Sequence, residues 1–456
     1  MHRNLGFASF SASFLLASFL FQSASAQTVD TSQRSLPLVT QSIDESHRIT
    51  LHGNTRPEAR AENDRGSVSE DFPLEHMLLQ LRHSPELEKS LQQLIDEIHT
   101  PGSSNFHRWI TAQEFGIRFG VAQQDLDKIT AWLESHGFRV NVVYPSGMLI
   151  DFSGTAGQVR RAFQTEVHHL EVQGEMHIGN VRDPSVPAAL APVIAGVVSL
   201  HDFRPHSMHR MHTAHGNYTL TGTSGGNNYA LVPADLATIY NLNPLFNAGY
   251  SGQGQTIVLI EDSDVFSTAD WSTFRSTFGL SSYTSASFTS IHPAPSSGAN
   301  NCGAPGIIAP NDAEAILDAE WASAAAPSAA IVMAACADTT TTFGGLIAMQ
   351  NLLNANSPPP ALMSISYGQC ETVNGSAANA AYNSAYQLAV AEGVSVFVAA
   401  GDSGAAGCDD GATAATHGIG VNAFASTSYN VAVGGTDFSD TFSNTNTTYT
   451  FAVRRR

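Results

Sequence analysis

Two hydrophobic periodicities divide this chain. In its first half, apolar residues recur at helical spacing in Pro85 to Ile98 (Leu87, Leu91, Leu94, Ile95) and in Gln123 to His136 (Leu126, Ile129, Trp132, Leu133). Arg139 to Asp151 and Val167 to Ile178 alternate about Pro145-Ser146-Gly147 and Gln173-Gly174, as hairpins do, with a helix predicted between them over Ala156 to Thr165. Helices interleaved with antiparallel strands predict a small α+β domain. From Tyr229 the pattern changes to continuous apolar runs: Gln255 to Glu261, Ala330 to Ala335, Ala361 to Tyr367, Val394 to Ala400 and Tyr429 to Gly434. Ala-rich helices are predicted between them over Asn311 to Ala326, Thr342 to Ala355 and Ala377 to Glu392. Unbroken apolar strands alternating with helices predict an α/β domain, a parallel sheet covered on both faces.

The segments outside these patterns set the boundaries. Residues 1–26 read as a signal peptide: Arg3, an apolar run from Leu5 to Phe21, then Ala24-Ser25-Ala26. This predicts a secreted, extracellular protein with no membrane segment after signal removal. Residues 27–70, polar and without periodicity, are expected to be a flexible lead-in. The α+β domain is assigned to 71–203, a linker to 204–228 and the α/β domain to 229–456. The linker carries His206, His209, His212 and His215 at every third position. It offers no Cys or carboxylate to complete a metal site, so none is assigned.

Composition narrows the function. Of the 456 residues 13% are charged and the formal net charge is −19, which argues against nucleic acid as a partner. No lysine follows Gly216, and Arg275 is the only arginine between there and Arg454. Such a surface has few ion pairs to lose in acid. The four cysteines fit an oxidising compartment and permit three pairings. Cys302 with Cys336 and Cys370 with Cys408 are preferred, because Cys370 and Cys408 both follow predicted strand ends.

Carboxylates carry the candidate chemistry. Glu314 and Asp318 stand four apart on a helix expected to start at an Asn311 or Asp312 cap, so they share one face with no cation in the helix beside them. Close carboxyls resist ionising together, and such a pair can hold and move a proton. Glu261 closes the first long strand in LIEDSD, and Asp402 follows another in AAGDSGAAG. A Ser-His-Asp triad finds no support, since His292 and His417 are the only histidines after His215 and neither lies in a suitable helix. Ser224 in the linker and Ser403 in GDSG imitate nucleophile motifs in the wrong context.

Together these motifs resemble the sedolisin family, the serine-carboxyl peptidases, in kumamolisin-like precursor form. SSNFHRWITAQEFGIRFG, DFSGTAGQVRRAFQTEVH and EMHIGNVRDPSVPAAL are similar to its activation prodomain. YALVPADLATIYN, GQGQTIVLIE, AEAILDAEWASAAAP, SISYG and VAAGDSGAAGC are similar to its catalytic domain. The resemblance implies a subtilisin-like fold and an endopeptidase zymogen acting on polypeptide substrates, with its own prodomain as intramolecular inhibitor and chaperone. It implies Glu314 as general base, Asp318 as its orienting partner, Asp402 as the oxyanion-stabilising acid and Glu261 as an outer carboxylate. Tyr367 stands where the kumamolisin-like pattern has tryptophan. The family's serine, in a downstream Gly-Thr-Ser motif, and the calcium site after it have no counterpart before Arg456. The expectation is therefore a C-terminally truncated chain, either an incomplete peptidase or a non-catalytic remnant with peptide binding at most.

Overall fold

The computed structural model describes residues 34–207, 218–221, 227–357, 359–409, 412 and 414–436. The signal-like segment, Ser224 and three of the linker histidines lie outside them.

The first unit is built on a four-stranded antiparallel sheet in the order Arg139–Val143, Leu149–Thr155, Pro73–Leu81, Ile194–Val197. A second, three-stranded sheet joins Asp64–Ser67, Val167–Val172 and Glu175–Asn180, so both predicted hairpins form. Local chemistry starts the helices. Ser84 accepts from Leu87 N before the helix Pro85–His99, and Thr111 and Thr155 make capping boxes with Glu114 and Gln158. The predicted stripe Leu91, Leu94, Ile95 and Ile98 is buried.

Residues 34–70 depart from the flexible lead-in expected of them. Val39 is fully buried, and Leu38 and Val39 donate their backbone N–H groups to Asp125. Arg48–Thr50 pairs with Ser185–Pro187, and Asp64–Ser67 completes the second sheet. Pairing through the backbone requires no hydrophobic period, so a polar segment can be fixed while showing none.

The second unit holds a six-stranded, wholly parallel sheet. Its strands are β1 (Thr256–Glu261), β2 (Ser287–Ile291), β3 (Ala330–Ala335), β4 (Leu362–Ile365), β5 (Ser395–Ala399) and β6 (Val431–Val433), in the order β2-β3-β1-β4-β5-β6. Helices α1 (Asn311–Ala325), α2 (Gly344–Leu353) and α3 (Ser376–Ala391) connect and cover it. The start of α1 differs from expectation: Pro310 takes the cap position, and Asn311 is the first helical residue, its side chain spent on Asp262. Both preferred disulfides are present, Cys302–Cys336 and Cys370–Cys408.

The two units share a core. Leu78, Leu91, Phe115 and Tyr144 of the first pack in one cluster with Met349, Ala385 and Tyr386 of the second. A polar seam runs beside it. Asp151, fully buried, accepts from Asn141 Nδ2 (2.7 Å) and, across the boundary, from Asn301 Nδ2 (2.7 Å), with His76 Nδ1 at 3.0 Å. Tyr144 donates to Asn351 Oδ1 (3.0 Å), and Asn351 donates to Asn301 Oδ1 (2.8 Å).

Candidate active site

In a parallel sheet every strand presents its carboxyl end to the same edge, and polar side chains gathered there form the site. Glu261 is the last residue of β1 and is fully buried. Neither of its carboxyl oxygens has a hydrogen-bond partner among the described residues. Burial pushes it well above the usual carboxylate range, and Asp318 and then Glu314 push it further, which places all three carboxyls in one electrostatic neighbourhood. Helix α1 supplies the other two: Glu314 is buried, and Asp318, one turn on, is half-buried. Ser366, just past β4, donates its hydroxyl to Asp318 Oδ2 (2.7 Å). The sequence-predicted trio is therefore assembled from β1 and α1.

Asp402 lies three residues beyond the end of β5, exposed in a turn. In the sheet order β5 is next but one to β1, so Asp402 is at the same edge as Glu261.

Three further groups join the site: Asp262 and Asp338, which the sequence does not single out, and Tyr367, noted above at the place of the pattern's tryptophan. Asp262 receives Tyr367 Oη–H (3.0 Å) and both carboxylate oxygens receive Asn311 Nδ2 (2.9 Å each). It is pushed up to about 6, by burial first and then by Asp338. Its position beside Glu261 in LIEDSD was the available signal. The Tyr367 phenol, buried beside Glu261 and Asp262, is pushed up and stays protonated, a fixed donor. Asp338 is the third, and no local motif marks it.

The linker enters this site. His206–Ser207 pairs antiparallel with Tyr367–Gly368, His206 opposite Gly368 and Ser207 opposite Tyr367. Just upstream, Gln369 Nε2 donates to Phe203 O (3.4 Å), and Arg204 Nε lies 3.0 Å from Asp338 Oδ2. An extended segment of the chain thus lies on the strand edge adjoining Ser366 and Asp318. Among the described residues no group of three or more His, Cys, Asp or Glu is placed to hold a metal ion, so the calcium implied by resemblance enters no step below.

An α+β unit whose exit strand is seated on the edge of an α/β domain beside clustered carboxyls is the arrangement expected of a prodomain on a peptidase fold. Comparison with known proteins agrees and is more specific. Residues 62–203 match the family model described as Pro-kumamolisin, activation domain. The chain is 28% identical over 365 residues to kumamolisin of Bacillus sp. (strain MN-32), covering 79% of this chain and 62% of that protein. It is 28% identical to sedolisin of Pseudomonas sp. (strain 101), over 45% of this chain and 34% of that one. Tripeptidyl-peptidase 1 of Pongo abelii is 26% identical over 83% of this chain and 65% of its own. A solved structure of Pseudomonas sedolisin, a serine-carboxyl proteinase complexed with pseudo-iodotyrostatin, is 22% identical, with a TM-score of 0.36, and the match covers 45% of this chain and 53% of that one. The chain is thus similar to sedolisin-family peptidases along most of its length, and residues 62–203 match the kumamolisin-type activation domain. It spans less than two thirds of the length of these curated relatives.

Proposed function

We propose that the chain is the prodomain and carboxylate-bearing part of a secreted, acid-acting serine-carboxyl endopeptidase zymogen. The observation that carries this reading is the gathering of Glu261, Glu314 and Asp318 beside an edge already occupied by an extended chain segment. Peptidases bind substrates by adding an extended strand to such an edge, where backbone pairing is independent of sequence.

In the proposed mechanism Glu314 takes the proton from a serine hydroxyl as its oxygen bonds to the scissile carbonyl carbon. Asp318 orients Glu314, and Glu261 holds the proton that the cluster shares. The carbonyl oxygen becomes the oxyanion, and Asp402, as the neutral acid, donates to it. The scheme suits acid, where a carboxylate still serves as base and imidazole is already protonated. The attacking serine is assigned to the Gly-Thr-Ser motif that the resemblance places downstream of Asp402.

The test combines fluorophosphonate labelling with hydrolysis of an unfolded protein substrate at about pH 4, where carboxylates titrate. In a polypeptide that carries the downstream Gly-Thr-Ser, labelling at that serine and turnover are expected together, and Glu314→Gln is expected to abolish turnover. Labelling at Ser224 or Ser403 accompanied by hydrolysis overturns the assignment of the nucleophile. Hydrolysis that survives Glu314→Gln overturns the assignment of the base.

A further inference from the structure

We infer that Asp338 and the Thr339 carbonyl form an anionic subsite that selects a basic side chain in the incoming polypeptide, two residues before the one that pairs with Gly368. This rests on the peptide groove of the proposed function and adds the substrate feature that the groove recognises.

The subsite is seen with an occupant. Arg204 places Nε 3.0 Å from Asp338 Oδ2, and its terminal nitrogen donates to Thr339 O. The other carboxylate oxygen, Oδ1, is fixed by the backbone N–H of Gly344 at the start of α2 (2.7 Å). A carboxylate held through one oxygen presents the other in a set direction, and a neighbouring carbonyl suits the fork of a guanidinium. Both side chains are about three-quarters buried, at 22% and 26% exposure.

Register supplies the selection. His206 pairs with Gly368, so Arg204 lies two residues upstream, about 7 Å along an extended chain. Any peptide that takes over the pairing with Tyr367–Gly368 delivers its corresponding side chain to Asp338. Without a cation there, a partly buried carboxylate is left uncompensated, and that penalty discriminates against neutral side chains. The adjacent Phe203 behaves differently. Its ring stacks on His177 (centroids 4.0 Å apart) and under Arg56 (4.3 Å), both N-terminal to the α/β unit, so its site leaves with the segment that precedes that unit. Asp338, Thr339 and Gly344 belong to the α/β unit and stay.

The experiment uses the full chain carrying Arg204→Gln with His206→Pro and Ser207→Pro, which empties the subsite and removes the tethered strand's backbone donors from the edge, and two fluorescein-labelled peptides. One copies residues 203–207, Phe-Arg-Pro-His-Ser, and the other has norleucine in place of arginine. Fluorescence anisotropy is expected to show the arginine peptide binding about tenfold more tightly, as one charge-assisted contact allows. Adding Asp338→Asn should bring the two affinities within about twofold, and Asp338→Glu should retain part of the preference. Equal affinities in the triple-substituted chain, binding of neither peptide, or a preference that survives Asp338→Asn overturns the inference. Near-UV circular dichroism of each variant identifies a misfolded chain, and Asp338→Glu then decides. Because the readout is binding, its failure leaves the assignment of Glu314 and Asp318 untouched, and failure of that assignment leaves this readout valid.

Discussion

Truncating Asn301 to Ala should loosen the prodomain, although Asn301 lies outside the carboxylate cluster. Its Nδ2 donates to Asp151 Oδ2 (2.7 Å) and to Tyr144 Oη (2.8 Å), while its Oδ1 accepts from Asn351 Nδ2 (2.8 Å). The contact to a buried carboxylate is worth about 1.5 to 3 kcal/mol and each neutral one about 1 kcal/mol. Water entering the vacated space recovers part of this, leaving an expected loss of about 3 kcal/mol. Asp151 and Tyr144 belong to the first unit, Asn301 and Asn351 to the second, so the loss falls on their docking. Equilibrium urea unfolding would follow Trp109 and Trp132 in one unit and Trp271 and Trp321 in the other. Both sets are expected to move to lower midpoints. A double-mutant cycle with Asp151→Asn should return a coupling of at least about 1.5 kcal/mol. A loss below about 0.5 kcal/mol, or additivity within that margin, would refute the view that this seam holds the domains together.

Glu392 gives a pH-dependent case. Burial pushes its carboxyl up to about 9, against the bond from the prodomain backbone at Ala112. The native state therefore keeps a proton that the unfolded chain releases above about 4.5. The contribution to stability is complete below that value and is lost as pH rises toward about 9. Thermal midpoints at about pH 5 and about pH 8 should differ less in Glu392→Gln than in the parent; an unchanged difference would show that Glu392 is not the source. Replacing both Cys302 and Cys336 by Ala opens a link spanning 34 residues. A cost of about 3 to 4 kcal/mol is expected from the loop entropy returned to the unfolded chain, and unchanged urea unfolding would contradict it.

The parallel sheet was legible because central strands covered on both faces are nearly continuously apolar, as QTIVLIE and AIVMAA are; VSVFVAA is as apolar in sequence although Ser395 and Phe397 are exposed. Strand β2, Ser-Phe-Thr-Ser-Ile, escaped because it is an edge strand, with Ser287, Thr289 and Ser290 exposed and little apolar surface to show. Glu314 and Asp318 were readable as a pair from helical spacing alone. Their meeting with Glu261 depends on β1 and α1 lying side by side, which spacing does not encode. Asp262 was hidden by its neighbour: Glu261 closes the apolar run in LIEDSD, while Asp262 takes the Tyr367 and Asn311 bonds. The same Asn311 looked like a helix cap, a role its side chain gives up for a carboxylate about fifty positions earlier in the chain. Arg204 with Asp338, and Asn301 with Asp151, are pairs joined only by the docking of two domains, and no local pattern anticipates them.

If Glu261, Glu314 and Asp318 share protons as one unit at the foot of the peptide groove, the titration of Glu261 must depend on the other two. Carbon-13 NMR of glutamate carboxyls, assigned by loss of the Glu261 signal in Glu261→Gln, follows that titration in the chain ending at Arg456. Glu261 is expected to titrate well above the usual carboxylate range, and Asp318→Asn or Glu314→Gln, each removing a negative neighbour, should lower its titration midpoint. A Glu261 that titrates in the ordinary carboxylate range, unmoved by either substitution, would contradict the shared-proton site.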